Sequence, residues 1–270
     1  MSASDATSAP EFLAVTELSG EEITQQHLEN LVRRYRWAGD YVHDKDVIEA
    51  ACGAGPGLLY LKAHAKSLIA GDFSNAVLAV ARRNLSDAVD LRRFDAAAMP
   101  FAPGSADVVM LFEAIYYLPS ADRFLDECAR VLRPGGLVLI VTANKDLYDF
   151  NPSPHSHVYY GVVELRELME RHGFAPRFFA AAPVGETGLK ERILRPAKKL
   201  AVMLNLMPKT MHGKKWLKRA VFGKLVEMPV SITDVPLSPP PPIAISDDAP
   251  DRQHKVIYCA ATLSGVAGSS

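Results

Sequence analysis

The chain has few cysteines, only two tryptophans and no long hydrophobic run. Three cysteines, Cys52, Cys128 and Cys259, are scattered through 270 residues without the close spacing of metal ligands. An odd, scattered set is typical of free thiols in a reducing compartment, so we expect a cytoplasmic protein without a metal site. No apolar stretch reaches the roughly 20 residues that a membrane-spanning helix needs.

The chain also lacks an excess of charge of either sign. Thirty basic and 31 acidic residues give a formal net charge of −1, which provides no global attraction to nucleic acid. The 49% hydrophobic and 23% charged residues are ordinary for a globular protein, and the length suits one large α/β domain. The first residues lack the basic-then-apolar pattern of a signal peptide, so we expect a flexible tail over 1–18.

Strand-like and helix-like segments alternate through the chain, and this order predicts the fold class. Ser19 and Glu22 suggest a capping box that opens a first helix, which would run to about residue 41. The alternation predicts a doubly wound, mostly parallel, seven-stranded sheet with helices on both faces. The predicted strands include 47–50, 67–71, 91–94, 106–112, 137–142 and 254–263, and the later helices are 58–64, 76–84, 121–132 and 163–172.

A glycine-rich loop follows the first core strand and is the most informative feature of the sequence. Residues 49–57 read Glu-Ala-Ala-Cys-Gly-Ala-Gly-Pro-Gly, with glycines at alternate positions. Such a loop lets a ligand lie directly against the backbone. The spacing differs from the G-x-G-x-x-G of dinucleotide-binding proteins. A tight turn without any ligand is the alternative.

This loop resembles the first motif of class I S-adenosylmethionine (SAM)-dependent methyltransferases, roughly E/D-x-G-x-G-x-G, in a methyltransferase type 11-like form. Glu49 stands at the acid position, and Ala51 replaces the usual first glycine. The resemblance extends over 24–181 and 254–263, and it implies a Rossmann-like fold that binds SAM at the ends of its strands. It implies cofactor contacts from Glu49, Ala51, Gly53 and Gly55.

Two further acids are predicted at the ends of neighbouring strands. Asp72 is placed to accept hydrogen bonds from ribose hydroxyls, with Phe73 stacking on adenine. The resemblance implies that Asp95 accepts from the adenine amino group and that the backbone at Ala96 meets the ring. The alternatives are a helix N-cap for Asp72 and a solvated turn acid for Asp95.

Candidate catalytic residues follow the fourth and fifth strands. Glu113 comes directly after an apolar strand and is predicted either to act as a base or to hold the methionine amino group. The long polar loop over 144–157 contains His155 and His157, whose ordinary pKa suits proton transfer near neutrality. Surface histidines without a role are the alternative, and no further metal ligands accompany the pair.

The first helix is predicted to close over the cofactor. Related enzymes often place an N-terminal helix there, and Tyr35-Arg36 resembles that segment. We therefore expect Tyr35 or Arg36 to meet the methionine carboxylate of SAM.

A basic insertion separates the probable sixth and seventh strands. Residues 186–227 contain eleven basic and three acidic residues, and a proline-rich run follows at 239–242. We predict a helical and proline-rich insertion over 183–253, before the last strand and a short tail over 264–270. A solvated lid, a cradle for an anionic substrate and contact with an anionic membrane surface are the open readings.

These features together predict a SAM-dependent methyltransferase that acts on a small molecule. The most favoured acceptor is an oxygen of a sugar, a lipid-linked or a phosphate-bearing metabolite. DNA is disfavoured, because the residues after the fourth strand do not form the N-P-P-Y motif and no Pro-Cys pair is present. An NAD-dependent oxidoreductase, a non-catalytic SAM-binding protein and a peripheral membrane protein are the alternatives, and the oligomeric state is open.

Overall fold

Helices and strands alternate along the chain, as the sequence predicts. The computed structural model describes residues 18–148, 150–153, 155–183 and 225–264. In chain order the elements are β1 (Glu22–Thr24), α1 (Gln25–Val42), β2 (Asp46–Ala50), α2 (Leu58–His64), β3 (Ser67–Asp72), α3 (Asn75–Leu85), β4 (Asp90–Arg93), β5 (Ala106–Phe112), α4 (Ala121–Val131), β6 (Leu132–Ala143), α5 (Val162–Arg171), β7 (Phe174–Pro183), β8 (Leu225–Glu227), β9 (Ile243–Ala244) and β10 (His254–Leu263).

One mixed sheet forms the centre of the described chain, with strand order β4-β3-β2-β5-β6-β10-β7-β9. The five strands from β4 to β6 are parallel, and β10 runs antiparallel between β6 and β7. This confirms the predicted Rossmann-like class. An eighth strand, the two-residue β9, is added at the β7 edge. Because the parallel strands all point one way, their carboxyl ends share one edge of the sheet.

Two hydrophobic cores lie on the two faces of the sheet, and β5 supplies side chains to both. Val109 and Leu111 face the core beneath α4 and α5, whereas Val108 and Met110 face the core beneath α1, α2 and α3. All four side chains are fully buried. This alternation follows from the two-residue period of a strand, and it explains why 106–112 is a continuous apolar run.

The start of the first helix differs from the sequence prediction. α1 begins at Gln25, and its N-cap is Thr24, whose hydroxyl accepts from the backbone N–H of His27 at 3.1 Å. The predicted capping box at Ser19 and Glu22 was wrong, because Glu22–Thr24 forms β1 and pairs with the distant strand β8. A long-range strand pair of this kind leaves no local signal.

The proline-rich connector lies along α1. Arg33 Nε donates to the Pro240 carbonyl at 2.9 Å, and Arg36 donates to the Ser238 hydroxyl at 3.1 Å. The helices predicted within the basic insertion fall on residues 184–224, outside the described residues, as do most of the two predicted tails. Within the described ranges, none of the helices has both the length and the apolar character to span a bilayer.

Candidate functional site

A cavity of about 550 Å³ lies at the carboxyl edge of the parallel strands. Its walls come from the segments that directly follow β2, β3, β4 and β5, together with one face of α1 and the loop before α5. Connection of consecutive parallel strands by helices places these four segments side by side, although they are distant in sequence.

The glycine loop after β2 forms one wall of this cavity. Ala51 and Gly53 line it, with φ angles of +53° and +60°. Gly55 also has a positive φ but lies outside the lining, because its Cα faces α2 and α3. A Cβ added there would stand 2.8 Å from both Leu58 and Leu85. The structure therefore gives Gly55 a packing role, in contrast to the contact that the sequence predicts.

Asp72 joins the end of β3 to the glycine loop. Gly53 N donates to Asp72 Oδ2 at 3.2 Å, and Ser74 N donates to Oδ1 at 2.9 Å. Burial raises the pKa of Asp72, and hydrogen bonds from the backbone of Ser74, Gly53 and Phe73 oppose that shift. The N-cap of α3 is Ser74, which accepts from Val77 N, so the capping alternative applies to Ser74 instead of Asp72.

The ends of β3 and β4 carry the remaining residues predicted near adenine. Phe73 lines the cavity with 45% of its surface exposed, and the guanidinium of Arg93 lies 5.3 Å from its ring centre. Asp95 and Ala96 also line the cavity. Asp95 Oδ1 accepts from Ala97 N at 2.8 Å, which fixes the carboxylate at the turn after β4.

Glu113 follows β5 and lines the cavity close to the end of β2. Its φ is +51°, and its backbone N–H donates to the Val141 carbonyl at 2.8 Å. The Tyr116 hydroxyl donates to Glu113 Oε2 at 3.0 Å. Burial, reinforced by the negative charge of Glu113, raises the pKa of Tyr116, so its hydroxyl stays protonated and available as a donor.

Aromatic side chains build the wall next to Glu113. The Tyr116 ring stacks on Tyr159 at 4.5 Å between centres and meets the edge of Tyr117 at 4.6 Å. His157 N donates to the Tyr116 carbonyl at 2.7 Å, and His157 lines the cavity. His155 is exposed and lies outside the lining, so the structure brings only one of the two predicted histidines to the site.

One face of α1 contributes three lining residues that the sequence motifs do not single out, namely His27, Asn30 and Arg34. Their i, i+3, i+7 spacing is a helical stripe and was available as a signal. Tyr35 lines the cavity as predicted, but Arg36 lies outside the lining and donates to Ser238. A shift of one residue along a helix rotates the side chain by about 100°, which separates Arg36 from Tyr35.

Glu49 is placed differently from its predicted role. It is 1% exposed and does not line the cavity, and its Oε1 accepts from the Tyr35 hydroxyl at 2.7 Å. Burial raises the pKa of Glu49 to about 7, against the opposing effects of the Tyr35 hydrogen bond and the Arg34 charge. The acid before the glycine loop thus reaches the cavity only through Tyr35.

The chemistry of the site is that of a polar organic ligand. Carboxylates stand at the ends of three strands (Asp72, Asp95 and Glu113), where they can accept hydrogen bonds from hydroxyl and amino groups. Among the described residues, no three histidine, cysteine or acidic side chains lie close enough together to hold a metal ion. All three cysteines are buried and free.

Comparison with known proteins identifies the class of this fold. Residues 48–140 match the family model described as a methyltransferase domain. A probable S-adenosylmethionine-dependent methyltransferase of Mycolicibacterium smegmatis is 36% identical over 134 residues, covering 48% of this chain and 52% of that protein. A phthiotriol/phenolphthiotriol dimycocerosates methyltransferase of Mycobacterium ulcerans is 41% identical over 98 residues, covering 35% of this chain and 36% of that protein. The chain thus spans about half or less of these relatives.

Solved structures agree on the fold. A SAM-dependent methyltransferase of Thermotoga maritima, a possible histamine N-methyltransferase, superposes with a TM-score of 0.56 at 13% identity, covering 88% of this chain and 92% of that one. The YcgJ protein of Bacillus subtilis superposes with a TM-score of 0.54 at 16% identity, covering 89% of this chain and 99% of that one. Residues 48–140 therefore correspond to a methyltransferase domain, in agreement with the motifs, and the fold is Rossmann-like.

Proposed function

We propose that this chain transfers a methyl group from SAM to an oxygen of a small-molecule acceptor. One observation carries the proposal: a single cavity joins the glycine loop to Asp72, Asp95 and Glu113 at the ends of three strands. The residues have the donors and acceptors that SAM requires, and they are arranged in the order of its parts.

The nucleoside of SAM fits the β3 and β4 side of the cavity. Each oxygen of Asp72 already accepts one backbone N–H and keeps acceptor capacity for a ribose hydroxyl. Phe73 offers an exposed ring for stacking on adenine, and Asp95 offers a carboxylate to the adenine amino group. Ala51 and Gly53 have left-handed backbone conformations that present the loop to the ligand. The part of SAM between its nucleoside and its sulfur would lie against this backbone.

The amino-acid part of SAM fits the β5 side. Arg34 lines the cavity beside Tyr35, where it supplies a positive charge for the methionine carboxylate. Glu113 lies at the end of β5, next to the aromatic wall. This arrangement would direct the sulfur of the cofactor toward Glu113 and Tyr116.

Methyl transfer requires little from the protein beyond positioning of the reactants and removal of a proton. Bound SAM supplies an already electrophilic methyl group. The cavity must hold the acceptor oxygen in line, about 3 Å from that carbon, and exclude water. We assign proton removal from the acceptor hydroxyl to Glu113, whose carboxylate is held by Tyr116. His157, on the same wall, is the second proton acceptor that the proposal assigns.

The cavity walls support an acceptor with both apolar and polar parts. Tyr116 and Tyr117 provide an aromatic surface, while His27, Asn30 and Arg34 provide hydrogen-bond donors and positive charge. The relative named for phthiotriol methylation supports a hydroxylated, lipid-linked acceptor. The basic composition of 186–227 supports an anionic acceptor or an anionic membrane surface from sequence alone.

The proposal is tested first by calorimetric titration with SAM, S-adenosylhomocysteine and NAD. We expect binding of the two adenosyl ligands and none of NAD. The protein is then incubated with methyl-labelled SAM and small-molecule extract, and the labelled product is identified by mass. Binding of NAD alone would indicate an oxidoreductase, and SAM binding without product from any fraction would indicate a non-catalytic protein.

A further inference from the structure

A buried hydrogen bond connects the first helix to the strand that precedes the glycine loop. The Tyr35 hydroxyl of α1 and Oε1 of Glu49 in β2 are 2.7 Å apart, and the two residues are 2% and 1% exposed. A hydrogen bond to a carboxylate in such an environment is among the stronger side-chain interactions in proteins. It connects α1 to the end of β2, directly before the glycine loop.

Packing holds the Tyr35 ring in the same place. A Cβ added to Gly57, the last glycine of the loop, would lie 2.3 Å from three atoms of this ring. The ring also packs edge-on against Phe112, with ring centres 5.5 Å apart. Tyr35 therefore contacts both the end of the glycine loop and the residue that precedes Glu113.

We propose that Glu49 is a positioning residue of the cofactor site, which acts through Tyr35 to hold α1 against the glycine loop. The α1 wall (His27, Asn30 and Arg34) is then placed over the amino-acid part of bound SAM. Glu49 does not line the cavity, so it makes no contact of its own with the cofactor. The inference rests on the proposed function, because it takes the cavity to be the SAM site.

The position of Tyr35 makes the effect specific to one part of the ligand. Tyr35, Phe112 and Glu113 lie on the β5 side of β2, whereas Asp72 and Asp95 follow β3 and β4 on the other side. Loss of the Tyr35–Glu49 hydrogen bond should therefore weaken contacts to the amino-acid part and leave those to the nucleoside unchanged.

The test compares two ligands in five proteins. S-adenosylhomocysteine carries the amino-acid part, and 5′-methylthioadenosine lacks it. We expect Tyr35→Phe and Glu49→Leu, each of which removes one partner of the hydrogen bond, to raise the Kd of S-adenosylhomocysteine by about 5- to 20-fold and that of methylthioadenosine by less than about twofold. The Kd of S-adenosylhomocysteine for the double variant should exceed the larger of the two single-variant values by less than about twofold, since both changes remove the same interaction. Tyr41→Phe, in the same helix but outside the cavity, is the matched control.

Several outcomes would overturn the inference. Weaker binding in Glu49→Leu but not in Tyr35→Phe would mean that Glu49 touches the ligand directly, and equal weakening of both ligands would mean a general structural role. Unchanged affinities in all variants would mean that Glu49 has no positioning role. Thermal unfolding checks that each variant folds, and Glu49→Asp, whose carboxylate is one methylene further from the Tyr35 hydroxyl, replaces Glu49→Leu if the latter does not fold. An unaltered protein that binds neither ligand would refute the proposed function instead.

Discussion

Tyr116 lies three residues after Glu113, and its hydroxyl donates a hydrogen bond to Glu113 Oε2 at 3.0 Å. Burial keeps the Tyr116 phenol protonated, so this donor persists at any working pH. The left-handed φ of Glu113 turns the chain between the two side chains. The relationship fixes one oxygen of the carboxylate at the end of β5, where the acceptor hydroxyl is proposed to lie.

Replacement of Glu113 by glutamine should reduce methyl transfer by about 10²-fold or more, because the amide cannot take a proton. The Kd of S-adenosylhomocysteine should change by less than about threefold. Labelled product from SAM and extract measures the first quantity, and calorimetry measures the second. Tyr116→Phe, which leaves the carboxylate in place, should lower transfer by a smaller factor. A large loss of cofactor affinity in Glu113→Gln would assign Glu113 to the methionine amino group.

Removal of the Asp72 carboxylate should weaken binding of S-adenosylhomocysteine by about 1–3 kcal/mol. The change deletes the proposed ribose acceptor and leaves the backbone N–H groups of Gly53 and Ser74 without their present acceptor. Calorimetric titration of Asp72→Ala measures the loss, with Asp87→Ala, an exposed acid between α3 and β4, as the control. Affinity equal to that of the unaltered protein would refute the placement of the ribose.

The sequence predicts the parallel core well because its signals are local. Continuous apolar runs and alternate glycines each act within a few residues, and β5 and α2 have the bounds expected from the sequence. The start of α1 was mispredicted because a strand pair between Glu22–Thr24 and Leu225–Glu227 determines it. Contacts over 200 residues apart leave no trace in local periodicity.

The contrast between local signals and long-range contacts also applies to the site. Asp72, Asp95 and Glu113 were predictable because each ends a strand, and strand ends meet at one edge. Glu49 and Gly55 sit in the same motif, yet they face α1 and the helices behind the loop, which only the packing determines. The motif identifies the loop, but which residues of the loop face the ligand depends on the neighbouring helices.

Ala51→Gly should raise the free energy of unfolding by about 0.5–1 kcal/mol. Ala51 has a φ of +53°, a conformation that costs a residue with a Cβ about 1–2 kcal/mol, partly offset by the greater freedom of glycine in the unfolded chain. Urea unfolding measures the difference. Ala54→Gly, in the same loop but without a positive φ, should instead destabilise the protein. Destabilisation by Ala51→Gly would show that this strain is not present in solution.

His157 and His155 provide a matched pair, because both belong to one loop and only His157 lines the cavity. His157→Ala should lower methyl transfer by about 10- to 100-fold through loss of a proton acceptor or of acceptor contact. His155→Ala should stay within about twofold of the unaltered enzyme. The backbone hydrogen bond from His157 N to Tyr116 is kept in the alanine variant, so the loop should hold its place. Equal effects of the two changes would remove His157 from the mechanism.

The buried Glu49 should make stability depend on pH between about 4.5 and 7. Burial raises its pKa from 4.5 to about 7, so over this interval the folded protein keeps a proton that the unfolded chain releases. The contribution of this group to stability is therefore full below about pH 4.5, declines as pH rises, and levels off above about pH 7 after a loss of about 3 kcal/mol.

Glu49→Gln removes this titration, so the stability of the variant relative to the unaltered protein should rise from pH 4.5 to 7 and then stay constant. Urea unfolding at several pH values from 4.5 to 8.5 measures the difference, and titrations common to both proteins cancel. Tyr35→Phe removes a hydrogen bond that lowers the pKa of Glu49, so it should extend the declining interval to higher pH. Parallel stability curves for the unaltered protein and Glu49→Gln would mean that Glu49 titrates normally, and the carboxylate would then have to be solvated in the folded protein.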